Sequence, residues 1–343
     1  MYLIDGQSTQ SAGISLRAYP QGDVLNAIFQ KHDLVDGRLA LSEVMFREFD
    51  SEIEFLMDGL REHRLAKQGW TIDREFRGND TFQAMVGGSE GQYRIDIAAG
   101  TLLVVLSTAI ELCALEEGST TASLANQYRP GENSIHCLFP AVQEPAEAGF
   151  EALGLALDAC LLLYFHELAH AIHGHCDYKP ENDDEARALE SDADFNAGTM
   201  FGVWVWHLPA TYRKPKSEED MYRRLIRASY LLGTLLKAMS ARSAEYHHPT
   251  NRIRTFLGGG VFAFDSLGTS IKFDDVRAGD DYWEQKIVSY CTSIKDALGR
   301  STLKAFQGTE IDIEEDRHQM ENVTAHVLNR LKDGPLMHFR LKI

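Results

Sequence analysis

Apolar and polar positions divide the chain into stretches of different period. Over 22–32, Val24, Leu25, Ile28 and Phe29 recur at helical spacing. Over 41–68 a longer series (Val44, Phe46, Phe49, Ile53, Phe55, Leu56, Leu60) does the same, with Ser42 near its start. After Gly69 the period falls to two. Segments 70–76, 81–86 and 93–98 alternate as strands, and Gly87-Gly88-Ser89-Glu90-Gly91 supplies a turn. Segment 133–139, between Pro130-Gly131 and Pro140, is a further strand candidate. From Asp183 onward the pattern is helical. It predicts helices over 184–206, 217–242 (Ser217 as cap, acids in the first turn), 249–258, 281–298 and 313–331. The third of these is expected to stop at Gly258-Gly259-Gly260. The pattern is that of a mainly helical α+β chain with a small mixed sheet.

Two stretches are apolar on nearly every side. Residues 97–110 end at Glu111, and 152–165 are interrupted only by Asp158. Both fall short of the roughly 20 residues that cross a bilayer, so they read as core helices. The second runs on into Phe165-His166-Glu167-Leu168-Ala169-His170-Ala171-Ile172-His173-Gly174-His175. On a helix, His166 and His170 project from one face roughly 40° apart and one turn along the axis. Two imidazoles so held can grip one zinc ion, and Glu167 can flank the metal and its water. This is the H-E-x-x-H arrangement of zinc metallopeptidases. Histidines on a solvated helix face are the plainer reading. The apolar run argues for a buried helix, whose polar end needs partners that a metal supplies.

A tetrahedral site with an open position takes one more protein ligand. Asp183, Asp184 and Glu185 sit where acids cap a helix N-terminus. Glu190 and Asp194, four apart, share a face, whereas Asp192 points roughly opposite. Glu190 is therefore the expected third ligand, and Asp194 is placed to accept a ligand histidine's ring N–H. Ala186, Ala193 and Ala197 would let the two helices approach. His173 shares the ligand face as a hydrogen-bonding neighbour, and His175 is expected to point away. Further on, Glu245-Tyr246-His247-His248-Pro249-Thr250-Asn251-Arg252-Ile253-Arg254 is either a capping corner or a source of donors to an oxyanion. His248 and Arg252 are the favoured donors. A sheet beside such a helix has a use in metallopeptidases, where an exposed edge holds an extended substrate by backbone hydrogen bonds. The pattern does not single out one strand.

Composition narrows the class. The 343 residues carry 34 Lys plus Arg against 51 Asp plus Glu, a net charge of −17. That balance argues against the basic surface a nucleic acid or an anionic membrane would need. Five cysteines, odd in number and without C-x-x-C pairing, imply no disulfide framework and a cytoplasmic setting; Cys176 reads as a buried thiol. The first ten residues lack the basic start and apolar core of a signal peptide. The length allows one domain or several; segments 1–90, 91–260 and 261–343 are the natural divisions.

His166-Glu167-x-x-His170, then Glu190-x-x-Ala193-Asp194, then His248-Pro249-x-x-x-Ile253-Arg254 resemble the gluzincin peptidases, in particular the Lit-like phage-exclusion peptidases and the M48-type peptidases of the HtpX group. The resemblance spans 165–254. It implies a zincin-like catalytic core, Zn²⁺ on His166, His170 and Glu190, and hydrolysis of a protein or peptide substrate with Glu167 as general base. Likeness to the Lit group would further imply a role in phage defence. The chain departs from the HtpX group in lacking membrane spans. A non-cleaving zinc-site regulator or sensor, and zinc hydrolysis of a non-peptide bond, are the alternatives.

Overall fold

A computed structural model of the chain describes residues 15–16, 22–31, 37–116, 149–207, 213–239, 247–267, 280–301, 303–306 and 310–341. Helices α1 (Gly22–Lys31) and α2 (Gly37–Leu60) come first, the latter continuing through a π turn at Arg61–Leu65 into α3 (Ala66–Gln68). Gly69, left-handed at φ 69°, ends this run. Four strands follow the order β1-β2-β4-β3: β1 (Ser15–Leu16), β2 (Thr71–Arg77), β3 (Ala84–Ser89) and β4 (Gln92–Ala98). β2 and β4 are parallel, and the outer pairs are antiparallel. The β3–β4 turn is tighter than the sequence suggests. Gly87, Gly88 and Ser89 stay in the ladder, and only Glu90 (φ 54°) and Gly91 (φ 79°) turn, as in a two-residue hairpin with both φ values positive. The expected strand over 133–139 lies outside the described residues.

The remaining helices build the body: α4 (Ala99–Glu116), α5 (Gly149–Ile172), α6 (Asp183–His207), α7 (Glu218–Met239), α8 (Pro249–Leu267), α9 (Asp280–Arg300), α10 (Glu310–Gln319) and α11 (Ala325–Asp333). α5 is central, packing against α2, α4, α6, α7 and β3. Leu155, Leu157, Leu161, Leu162, Leu163 and Phe165 are all buried on it, so this helix stands on apolar burial rather than on an exposed polar face. In length and hydropathy α4 and the 150–172 stretch both reach what a membrane crossing needs, contrary to the shorter runs expected. Yet 89% and 94% of their most apolar windows lie buried inside the protein.

One polar residue interrupts α5. Asp158 is buried and receives Arg213 at 2.6 Å and Arg224 at 2.6 Å; Arg213 also pairs with buried Glu52 of α2. This network ties α2, α5 and α7 together, because an unpaired ion at that depth would cost several kcal/mol, of order 3–5. Ser217 caps α7 as expected, its Oγ accepting the Asp220 N–H at 3.1 Å.

The helix beginning at Pro249 does not stop at Gly258-Gly259-Gly260. It runs through them to Leu267, crossing α6 in close backbone contact. The reason is packing: a Cβ on Gly259 would stand 1.9 Å from the Phe195 carbonyl oxygen, and one on Gly198 would stand 2.0 Å from that of Phe256. The glycines serve the crossing between helices, not a terminus.

Candidate metal centre

α5 brings His166, Glu167 and His170 to its C-terminal turns, and α6 brings Glu190 and Asp194 alongside them. The start of α6 is fixed by its own sequence. Asn182 Oδ1 accepts the Glu185 N–H at 3.0 Å, and the Glu185 carboxylate accepts the Glu181 N–H at 2.8 Å. Of the acids expected to cap, Glu185 takes part here, whereas Asp184 accepts the Gln319 amide at 2.9 Å. The buried small residues Ala186, Ala193 and Ala197 lie on α6.

His166, His170 and Glu190 form a triangle. Nε2 of His166 lies 3.2 Å from Nε2 of His170, and these nitrogens lie 3.3 and 3.4 Å from the Glu190 carboxylate oxygens. Bonds of about 2.0–2.1 Å in a tetrahedral zinc site put neighbouring ligand atoms about 3.3 Å apart. The three side chains therefore bring donor atoms close enough together to share one ion, His166 facing Oε2 of Glu190 and His170 facing Oε1. All three are buried, at 2%, 5% and 8% exposure, as is Glu167 at 4%. Glu190 Oε2 accepts no hydrogen bond although it is buried, an expense that a cation would remove. Charge points the same way. Buried Glu190 and Asp194 are joined to Arg252 and buried Asp192 to Lys332, with the buried acid Glu167 beside them. With neutral imidazoles a dication brings this set to balance. The residues fit the ion.

The supports divide into two sets. Nδ1 of His166 lies 2.9 Å from Asp194 Oδ1, and Arg252 donates to both Asp194 oxygens at 2.7 Å and lies 3.5 Å from Glu190. Burial alone would depress His166, but the Asp194 and Glu190 carboxylates override it and push the ring up to about 10. His170, under burial and the neighbouring His166, is held well below the usual histidine range. Two imidazoles in contact disfavour each other's charge, and here the proton is favoured on His166. Burial pushes the Glu167 carboxyl up to about 7, the neighbouring His166 opposing it; the backbone N–H of Val86 in β3 bonds to this carboxylate.

Arg252 thus reaches the site by holding Asp194 through Nε and Nη2, with Nη2 also facing Glu190. His248 occupies a different position: its Nδ1 accepts the Thr250 N–H at 3.2 Å, capping α8. Asp316 takes the His248 N–H at 2.7 Å, the Asn251 amide at 2.6 Å and the His247 ring at 2.9 Å. The corner behaves as a clamp on the start of α8.

Two residues set aside on the sequence belong here. His175 is fully buried, with Nδ1 3.0 Å from Nδ1 of His170, and Asp192 is buried against it at 3.1 Å. Projection along an unbroken helix turned His175 away. α5 ends at Ile172, and Gly174, left-handed at φ 80°, then folds the chain back under His170. The signal was the His-Gly-His sequence itself, glycine being the usual residue just past a helix end. Set beside known proteins, the chain matches no family model, no curated protein and no solved structure, so its chemistry is read from these side chains alone.

Proposed function

We propose that this protein is a zinc-dependent endopeptidase with a zincin-like core, in which His166, His170 and Glu190 hold the ion and Glu167 is the general base. The observation that carries this reading is the convergence of His166, His170 and Glu190, whose donor atoms lie within 4.8 Å of one another, with a buried carboxylate next to them. When bound, zinc supplies polarisation of a carbonyl and a lowered pKa for water. Glu167 accepts the proton of the attacking water and delivers it to the leaving amine. Asp194, gripped by Arg252, holds the His166 ring in place. β3 supports a peptide substrate over other acyl compounds. Among the described residues it is an outer strand of the sheet, and its Val86 N–H points to Glu167 rather than to β4. By strand alternation the N–H and C=O groups of Ala84 and Gly88 face the same way, toward where an extended chain would add.

The depth of the four site residues favours a second reading, a zinc-site sensor or regulator that cleaves nothing, since a substrate needs a way in. Metal analysis of the purified chain beside its His166→Ala variant tests the common premise. We expect one tightly held zinc per chain in the wild type and its loss in the variant. Equal zinc in both would refute the ligand assignment. Incubation of the zinc-loaded wild type with unfolded casein then separates peptidase from sensor by whether fragments appear.

A further inference from the structure

His170 faces two ways. Its Nε2 is one corner of the ligand triangle, and its Nδ1 meets Nδ1 of His175 at 3.0 Å. Beyond that, Nε2 of His175 lies 3.1 Å from Asp192 Oδ2. Only one placement of protons satisfies the series. For Nε2 of His170 to offer a lone pair, the neutral ring carries its hydrogen on Nδ1. That N–H needs an acceptor, so Nδ1 of His175 is bare and its own hydrogen sits on Nε2, donating to Asp192. The reverse tautomer of His175 would set two N–H groups against each other and drive the hydrogen of His170 onto the ligand nitrogen. Asp192 is held as an acceptor from its other side. Its Oδ1 takes the Lys332 ammonium at 2.6 Å and the Asn196 amide at 2.9 Å. His173 Nδ1 lies 3.4 Å from Oδ2.

We propose that His175 and Asp192 are positioning residues for the zinc ligand His170, a relay that fixes its metal-binding tautomer, with Lys332 at the end of α11 anchoring the far end. The inference rests on the reading of His166, His170 and Glu190 as ligands. It is distinct from the Asp194–Arg252 pair, which serves His166. Gly174 makes the relay possible, and the C-terminal segment completes it: a Cβ on Gly174 would stand 2.5 Å from Cβ of Phe339, and the Leu341 N–H bonds the Ile172 carbonyl at 2.7 Å.

The test uses the full chain and zinc alone, with affinity read by competition against a chromophoric chelator and the ligand field read from cobalt(II) absorption. His175→Leu removes the acceptor. His175→Asn restores it, because the amide oxygen takes the place of Nδ1. Lys332→Gln loosens Asp192 from the surface side. Loss of a partner to a ligand histidine weakens metal binding by about 10–100-fold. We expect that loss in His175→Leu, recovery of most of it in His175→Asn, and a loss of a few-fold in Lys332→Gln. The cobalt bands should shift in the leucine variant and return in the asparagine one. Wild-type affinity in His175→Leu, or equal losses in the leucine and asparagine variants, would overturn the relay and leave only packing. Should His175→Leu not fold, Lys332→Gln decides, and unchanged affinity there overturns the relay. A wild type that takes up no zinc overturns the ligand assignment itself, a result separable from the first.

Discussion

Glu167→Gln is expected to retain zinc at wild-type stoichiometry while peptide hydrolysis falls by about 10²- to 10⁴-fold, the contribution of a positioned general base. The substitution is nearly isosteric, so the shape of the pocket survives. The amide oxygen can still accept the Val86 N–H that now reaches the carboxylate. What disappears is a group able to take a proton from water and return it to an amine. The ligand triangle is formed by other side chains, so metal content should not move. Initial rates on unfolded casein and zinc content, measured on the same preparation, check both halves. Full hydrolysis in the variant would remove Glu167 from the mechanism. Zinc lost together with activity would instead make Glu167 part of the ligand set.

The parts of this site that the sequence made legible are those carried by one helix at a time. His166 with His170, and Glu190 with Asp194, are i, i+4 pairs, so the 3.6-residue period alone places each pair on one face. Burial of α5 then brought the pairs together, as the apolar run from Leu153 to Phe165 implied. What could not be read was set by breaks and by distant chain. His175 depends on a single left-handed residue, Gly174. Asp192 does project away from Glu190 on α6, but that side is also interior, because His175 and Lys332 arrive there from other elements. Arg252 was read as a donor to substrate; that its Nε and Nη2 would hold Asp194 was not legible. Strand segments were recognisable by alternation, but the β1-β2-β4-β3 order, which leaves β3 outermost among the described residues beside Glu167, is a property of pairing that no local pattern encodes.

The largest stability effect is expected from one methyl group at the crossing of α6 and α8. Gly258, Gly259 and Gly260 look alike in the sequence, yet their surroundings differ. A Cβ on Gly258 meets only the edge of Phe195 at 3.9 Å, ordinary contact, whereas one on Gly259 would stand 1.9 Å from the Phe195 carbonyl oxygen. That oxygen is backbone and cannot rotate aside, so Gly259→Ala has to push the helices apart by about 1 Å. Overpacking typically costs about 1–3 kcal/mol, and a clash against main chain belongs at or above the top of that range. Gly258→Ala should instead stabilise by about 0.5–1 kcal/mol, the helix-interior preference for alanine over glycine. The displacement would also reach the metal centre, since α6 carries Glu190 and Asp194 while α8 carries Arg252, joined to Asp194 by 2.7 Å bonds. Gly259→Ala should therefore weaken zinc binding as well as lower the denaturant midpoint, and Gly258→Ala should do neither. Matching midpoints for the two variants would mean that α6 and α8 do not cross backbone to backbone, and the placement of Arg252 against Asp194 would fall with that contact.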